Sequence, residues 1–330
     1  ALEYLKKSLA IRQEIGDKKG EGATLNNIST LYHAQGEYAT ALEYLKKSLT
    51  IQQEIGDKAG EGTTLNNISQ IYDAQGEYAT ALEYMKKSLA IMQEIGDKKG
   101  EGTTLNNISQ IYAAQGEYAT ALEYLKKSLA IRQEIGDKKG EGATLNNIST
   151  LYHAQGEYAT ALEYLKKSLA IMQEIGDKNG EGMTLNNTSA LYYARGDYAT
   201  ALEYLKKSLA IQHEIGDKAG EGTTLNNISQ IYHAQGEYAT ALEYLKKSLA
   251  IMQEIGDKNG EGMTLNNTSA LYYARGDYAT ALEYLKKSLA IMQEIGDKKG
   301  EGATLNNISQ IYDARGDYAT ALEYLKKSLA

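Results

Sequence analysis

The chain has 330 residues and no proline, cysteine, tryptophan or phenylalanine, whereas 32 glycines and 27 tyrosines recur at regular intervals. Without cysteine there can be no disulfide or thiolate chemistry, and the net charge of -8 is spread too evenly to form a nucleic-acid-binding field. No apolar run is long enough for a membrane span and no leader resembles a signal peptide, so we expect a cytoplasmic protein.

A 40-residue unit is copied along the whole chain. The tetrapeptide that begins at Ala41 reappears at Ala81, Ala121, Ala161, Ala201, Ala241, Ala281 and Ala321. The segments 171–210 and 251–290 are identical. Such a period is typical of arrays in which each unit packs only on its neighbours. We therefore predict one elongated domain over residues 1–330, which begins and ends within the second helix of a unit.

Each unit is predicted to contain two amphipathic helices. Leu25, Ile28 and Tyr32 follow helical spacing, and Ala41 and Leu45 continue the same pattern after a break. We place helix A at about 17–35 and helix B at about 37–55, with the boundaries set by the pattern.

Glycines mark the ends of both helices. Gly36 and Gly56 stand where a left-handed residue closes a helix, and Asp57 can cap the helix that follows. Gly20 and Gly22 are costly inside a helix, so helix A either begins nearer Gly22 or uses these glycines for close approach of neighbouring backbones. The pattern alone leaves both alternatives open.

The unit resembles the tetratricopeptide repeat (TPR) family. The residues that carry the resemblance are Leu25, Ile28, Ser29, Tyr32, Gly36, Tyr38, Ala41, Leu45 and Ser48. The usual unit has about 34 residues and a proline after helix B, whereas this unit has Gln53 at the proline position. The longer unit is similar to the repeats of Pins-type polarity adaptors, bacterial peptide-sensing regulators and, more loosely, kinesin light chains.

That resemblance implies an all-α, right-handed superhelical solenoid of about eight repeats, with helix A on the inner wall. It also implies a protein or peptide partner, bound as an extended segment in the concave groove. Glu43 and Lys47 on helix B are placed as an i,i+4 ion pair and predict a solvated outer wall.

Differences between units are concentrated on one stripe of helix A, which we call the lane. The lane comprises the places of Ala23, Asn26, Thr30 and His33, spaced 3, 4 and 3 apart, in all units. This stripe lies opposite the apolar face and is expected to point away from the core. Its side chains are nearly all uncharged and differ between units, except for the constant asparagine, as a recognition surface requires.

The predicted binding residues fall into three sets. The first is Asn26, Asn66, Asn106, Asn146, Asn186, Asn226, Asn266 and Asn306, whose amides offer donors and acceptors to a peptide backbone, as similar asparagines do in peptide-binding relatives. The second is Thr30, Gln70, Gln110, Thr150, Gln230 and Gln310, and the third is His33, Asp73, His153, Tyr193, His233, Tyr273 and Asp313. Two alternatives remain: Asn26 or Asn27 bridges adjacent helices, or the variation is drift on a tolerant surface.

Other motifs predict no chemistry. The histidines stand in separate units, so no metal or other cofactor is expected. Asp177 opens a calcium-like loop that ends in Thr188 instead of a carboxylate, and Arg195-Gly196-Asp197 is explained by a turn. The glycines lack the Gly-Lys-Ser/Thr ending of a phosphate-binding loop, and no unit differs enough to hold a catalytic dyad, so we expect no enzyme.

The leading hypothesis is a protein-interaction scaffold. The alternative is a self-assembling filament, because a chain that opens and closes inside helix B exposes Leu2, Leu5 and Leu9, and such ends can stack. The missing initiator methionine favours a fragment of a longer array.

Overall fold

The computed structural model describes residues 1–329, which form seventeen helices and no strand. The helices are α1 (Leu2–Glu14), α2 (Lys18–Ala34), α3 (Tyr38–Glu54), α4 (Lys58–Ala74), α5 (Tyr78–Glu94), α6 (Lys98–Ala114), α7 (Tyr118–Glu134), α8 (Lys138–Ala154), α9 (Tyr158–Glu174), α10 (Lys178–Ala194), α11 (Tyr198–Glu214), α12 (Lys218–Ala234), α13 (Tyr238–Ile255), α14 (Lys258–Ala274), α15 (Tyr278–Glu294), α16 (Lys298–Ala314) and α17 (Tyr318–Leu329). The even-numbered helices are helices A and the odd-numbered ones are helices B. The prediction of an all-α solenoid of repeated helix pairs is confirmed.

The chain divides into two compact units, the first spanning Ala1–Ile171 and the second beginning at Met172. Within each unit, consecutive helices pack on each other, as from α1 to α8 and from α10 to α17, and several neighbouring helices A also touch each other directly. These direct contacts join α2 with α4 and α6 with α8 in the first unit, and α10 with α12, α12 with α14 and α14 with α16 in the second. A single domain over the whole chain remains a prediction.

The turns between helices depend on glycine, as predicted. Sixteen glycines at these turns have positive φ, from 67° at Gly176 to 79° at Gly116, whereas no other residue in the described chain does. Asp17 caps α2, because its carboxylate accepts a hydrogen bond of 2.9 Å from the backbone N–H of Gly20. The predicted cap at Asp57 is confirmed, because its carboxylate accepts a 3.2 Å hydrogen bond from the backbone N–H of Gly60.

Replacing Gly116 by alanine should destabilise the first unit by about 1 kcal/mol, because a left-handed residue with a Cβ is strained. A Cβ at Gly116 meets no atom within 4 Å, so the cost comes from the backbone alone. Gly116→Asn should lose clearly less, since asparagine tolerates this conformation. Urea unfolding measures both variants, and an equal loss in the two would contradict the conformational explanation.

Helix A begins before Gly20 and Gly22, at Lys18, so the glycines lie inside it. Their role is close approach: Ser48 of α3 donates a 2.8 Å hydrogen bond to the carbonyl oxygen of Gly22. At the equivalent Gly62, a Cβ would come within 2.5 Å of the Met92 side chain. The helical cost of these glycines is therefore offset by tight packing of helix A on helix B.

The apolar core lies between repeats. In one cluster, Leu122 and Leu125 of α7 pack with Ile148 and Leu151 of α8. Stacked tyrosines flank the cores, for example Tyr112 and Tyr124, whose ring centroids lie 5.4 Å apart. Because each cluster takes residues from two repeats, a repeat buries its apolar face only against its neighbour. No helix within residues 1–329 combines the length and apolar character that crossing a membrane needs.

Candidate functional site

The lane is formed by neighbouring helices A. Ala23 and Thr30 are exposed on α2, and His33 is half-buried near its end. Between α2 and α4 lies an open groove of about 370 Å³, to which Ala23, Asn26 and Thr30 contribute from one helix and Thr63 from the next. The structure thus brings together lane residues of consecutive repeats.

Similar grooves recur along both units. Thr63 and Asn66 of α4 face Thr103 of α6 across an opening of about 270 Å³. In the second unit, Asn186 and Tyr193 of α10 line a smaller pocket together with Gln230 of α12. A segment lying across helices A would therefore meet one groove after another.

The variable place at the end of helix A packs on helix B of the same repeat. His33 lies 5.6 Å from Tyr38 between ring centroids, and Tyr193 lies 5.6 Å from Tyr198. Burial lowers the pKa of His33 and, in the same way, of His153 and His233. Burial therefore favours the neutral form of these three imidazoles.

Asn26 does not present a free amide. Its side chain is buried, and Nδ2 donates to Ser48 Oγ at 3.0 Å and to Thr64 Oγ1 at 2.8 Å. Its Oδ1 accepts a 3.1 Å bond from Asn67 of the next repeat. The expectation that this residue points away from the core is wrong, because α2 lies between α3 and α4 and the place of Asn26 faces the seam where they meet. Contact of the Asn26 set with a ligand remains a prediction.

The second asparagine of six pairs bridges adjacent helices A. Its Nδ2 donates to Oδ1 of the first asparagine in the preceding repeat, over 2.9 to 3.1 Å. The bridges are Asn67 to Asn26, Asn107 to Asn66, Asn147 to Asn106, Asn227 to Asn186, Asn267 to Asn226 and Asn307 to Asn266. The alternative that an asparagine bridges adjacent helices therefore holds for the second asparagine of the pair, which donates the bond. The first asparagine accepts it, so its Oδ1 is already occupied.

Four asparagines of the lane have free amide nitrogens. Asn66, Asn106, Asn226 and Asn266 each accept the bridging bond through Oδ1, but their Nδ2 atoms donate to no acceptor within residues 1–329. Every buried side-chain nitrogen and oxygen in the described chain has a partner, so these four nitrogens reach solvent. Asn66, Asn106 and Asn266 are half-buried and can donate hydrogen bonds to a bound ligand, whereas Asn226 is only 6% exposed.

Sequence reasoning missed the place on helix B that distinguishes these four asparagines, whose amide nitrogens are free, from Asn26, whose amide nitrogen is bonded. Gln52 of α3 accepts a 2.6 Å hydrogen bond from Thr64 Oγ1, next to the amide of Asn26. The signal was present in the chain, since the place of Gln52 carries arginine, glutamine or methionine in different repeats. The variation falls on helix B, outside the stripe in which variation was sought.

The outer surface of helix B is solvated, as predicted, but it lacks the predicted ion pair. The predicted ion pair between Glu43 and Lys47 is not formed; among residues 1–329 the i,i+4 pair occurs at Glu3 and Lys7, 2.8 Å apart. Lys47 instead lies 5.5 Å from the ring centroid of Tyr44, where the cation is attracted to the aromatic face.

The remaining motifs stay structural. Gly196 has φ of 77° and Asp197 caps α11 by accepting from the backbone N–H of Thr200, so Arg195-Gly196-Asp197 is a helix-connecting turn. Within residues 1–329, no three His, Cys, Asp or Glu side chains converge as a metal site would require.

Several solved protein structures have folds similar to that of this chain. A Rap protein solved with Competence and Sporulation Factor has a TM-score of 0.65 at 16% identity, covering 100% of this chain and 97% of its own. Aspartyl phosphate phosphatase F from Bacillus subtilis has a TM-score of 0.63 at 16% identity, covering 99% and 93%. A Rap conjugation gene regulator solved with a Phr peptide has a TM-score of 0.65 at 13% identity, covering 93% and 94%. At these identities the likeness concerns the fold alone.

No curated protein matches the chain in sequence. The tetratricopeptide repeat pattern, however, matches in overlapping pairs of repeats over residues 1–54, 21–94, 60–134, 100–174, 140–214, 180–254, 220–294 and 260–330. These matches leave no part of the sequence outside the pattern, and the helix pairs fall in the same places. The chain belongs to the tetratricopeptide repeat family.

Proposed function

We propose that this chain is a protein-interaction scaffold that binds an extended peptide, or an extended segment of a partner protein, along the grooves lined by helices A. The observation that carries the proposal is the pair of free amide nitrogens at Asn66 and Asn106 in consecutive repeats of the first unit. Asn66 lines the groove between α4 and α6. Amide donors at a regular spacing suit the carbonyl oxygens of an extended backbone.

The neighbouring lane places would read ligand side chains. In the first unit, Thr63, Gln70 and Asp73 make one stretch of the lane polar. In the second unit, Met183 and Met263 are 55% and 52% exposed, so the lane there offers apolar contact. A ligand for the second unit should therefore carry apolar side chains, because burying them on these methionines is favourable.

The similar folds support the general part of this proposal, that the partner is a protein or a peptide. The Rap conjugation gene regulator was solved in complex with a peptide, and family membership is consistent with a protein or peptide partner. We propose a binding role without catalysis or cofactor for this chain, in the cytoplasm. Self-association by stacking of repeat ends stays a separate prediction.

A selection with a random peptide library tests the lane. Peptides of about 16 residues, enough to cross several helices A in extended form, are selected on the full chain and labelled with fluorescein. The double variant Asn66→Ala, Asn106→Ala should weaken their binding at least about tenfold, because two sets of backbone hydrogen bonds are lost. Fluorescence polarisation measures the dissociation constants.

The matched control changes the same two repeats on their outer side. Lys86 and Lys126 are exposed on helices B, and Lys86→Ala, Lys126→Ala should leave peptide affinity unchanged. Equal affinity of the selected peptides for the wild-type chain and the asparagine variant would remove the lane assignment.

A further inference from the structure

The asparagines of the lane occur in two hydrogen-bonding states. At Asn26 and Asn186 the amide nitrogen is held by two hydroxyl groups, one from helix B of the same repeat and one from helix A of the next. At Asn66, Asn106, Asn226 and Asn266 it has no partner in the described chain. The hydroxyl groups and the bridging asparagine around these amides are of the same type in both states, but two places differ. Glutamine at Gln52 and Gln212 goes with alanine at Ala59 and Ala219, where the repeats with free amides carry lysine or asparagine.

Of these two places, the one on helix B at Gln52 is hydrogen-bonded to the threonine that holds the amide. The Gln52 side chain accepts the proton of Thr64 Oγ1 at 2.6 Å. With its proton directed to Gln52, the Thr64 hydroxyl has a lone pair for Asn26, whose Nδ2 lies 2.8 Å away. A chain of bonds thus runs from Asn26 through Thr64 to Gln52.

Where methionine stands at this place, the chain of bonds is broken. Met92 has no acceptor in this position, and Thr104 donates instead to the carbonyl oxygen of Gly100, one turn back in its own helix, at 2.9 Å. Asn66 is then left without a hydroxyl partner within residues 1–329. Arg132 gives the same result, since Thr144 donates to Gly140 and the nitrogen of Asn106 stays free.

The second unit repeats the arrangement independently. Thr224 donates to Gln212 at 2.6 Å, and Asn186 donates to Thr224 at 2.6 Å and to Ser208 at 3.1 Å. With methionine in place of glutamine, Thr264 donates to Gly260 at 2.8 Å and Asn226 is free.

We infer that Gln52 and Gln212 are specificity-determining residues, which withdraw Asn26 and Asn186 from the lane. The inference rests on the proposed function. A bound backbone is then gripped at Asn66 and Asn106 in the first unit and at Asn266 in the second. The glutamines set where along the array a peptide is held, although they lie on helix B and not on the stripe of helix A that forms the lane.

The chain of hydrogen bonds that holds the Asn26 amide, which we call the lock, can be tested without any ligand by hydrogen exchange of the side-chain amides. The NH₂ signal of Asn26 is identified as the one lost in Asn26→Ala, and that of Asn66 in Asn66→Ala. In the wild-type chain, exchange at Asn26 should be at least about tenfold slower than at Asn66, because both of its protons are hydrogen-bonded. Gln52→Met should raise the rate at Asn26 to that of Asn66, and Met92→Gln should slow Asn66.

Both substitutions introduce a residue that the chain already carries at the same place, so the fold should accommodate them. An exchange rate at Asn26 that is the same in the wild-type chain and in Gln52→Met would overturn the inference.

The library peptides that depend on Asn66 and Asn106 then test specificity. Their affinity should fall about threefold to tenfold in Met92→Gln, as one set of donors is withdrawn. Unchanged affinity in Met92→Gln, with Asn66 slowed in exchange, would overturn the specificity role. If the proposed function itself is wrong, the double variant Asn66→Ala, Asn106→Ala will leave peptide affinity unchanged. The exchange rates of Asn26 and Asn66 would still show whether Gln52 holds the amide, so the two failures can be told apart.

Discussion

Replacing Leu125 by alanine is expected to destabilise the first unit by about 3 kcal/mol, through lost burial and the cavity left behind. Leu125 is 1% exposed and packs with Ala121, Leu122, Ile148 and Leu151. These partners come from α7 and α8, so the cavity opens at the junction of two repeats. Movement of side chains from one helix alone cannot fill it. The unfolding transition in urea, followed by circular dichroism, measures the loss.

The chain supplies its own control for this variant. Met85 occupies the equivalent place in another repeat and is also 1% exposed. Leu125→Met should therefore cost less than about 1.5 kcal/mol, since it nearly conserves volume. A loss in Leu125→Ala no larger than that in Leu125→Met would show that the site relaxes around the deletion, which contradicts the packing described here.

Replacing Arg132 by alanine is expected to cost about 2 kcal/mol. Arg132 is 8% exposed; its guanidinium forms an ion pair with Asp137 and donates to Thr103 Oγ1 at 3.2 Å. Asp137 also caps α8 by accepting from Gly140 at 3.0 Å. Removing the cation leaves a mostly buried carboxylate without its partner; the cost is lower than for a fully buried pair because both side chains keep some solvent contact.

The pH dependence of this loss has a definite sign. Burial alone would raise the pKa of Asp137, but the Gly140 N–H and the Arg132 guanidinium outweigh it and hold the pKa below its ordinary value. The stabilisation is therefore present above the unfolded-state pKa of about 3.9 and is lost as the pH falls through the lower, folded-state pKa. Arg132→Ala should cost less stability at pH 2 than at pH 7, as measured by urea unfolding.

Arg132→Met is the matched control. Methionine stands at this place in Met92, where Asp97 still caps its helix with a 2.9 Å bond from Gly100. Methionine refills the space of the arginine stem, so we expect it to recover about half of the loss seen with alanine. A variant as unstable as Arg132→Ala would assign the whole effect to the ion pair.

The sequence alone determined the repeat, the helix pairs and their ends. The reason is that these features depend on near neighbours along the chain: Leu25, Ile28 and Tyr32 set one apolar face, and Gly36 ends the helix through its own backbone. The family resemblance rested on the same local residues, which is why it was confirmed.

Only the tertiary structure decided which asparagines of the lane are free. Asn26 meets Ser48, Thr64 and Asn67, which are 22, 38 and 41 residues away along the chain. Its state depends further on Gln52, a residue of helix B that lines the same groove from below the lane. Helical spacing places Asn26 and Asn66 identically, whereas the partners of a buried amide depend on how three helices meet and on where a threonine hydroxyl sends its proton.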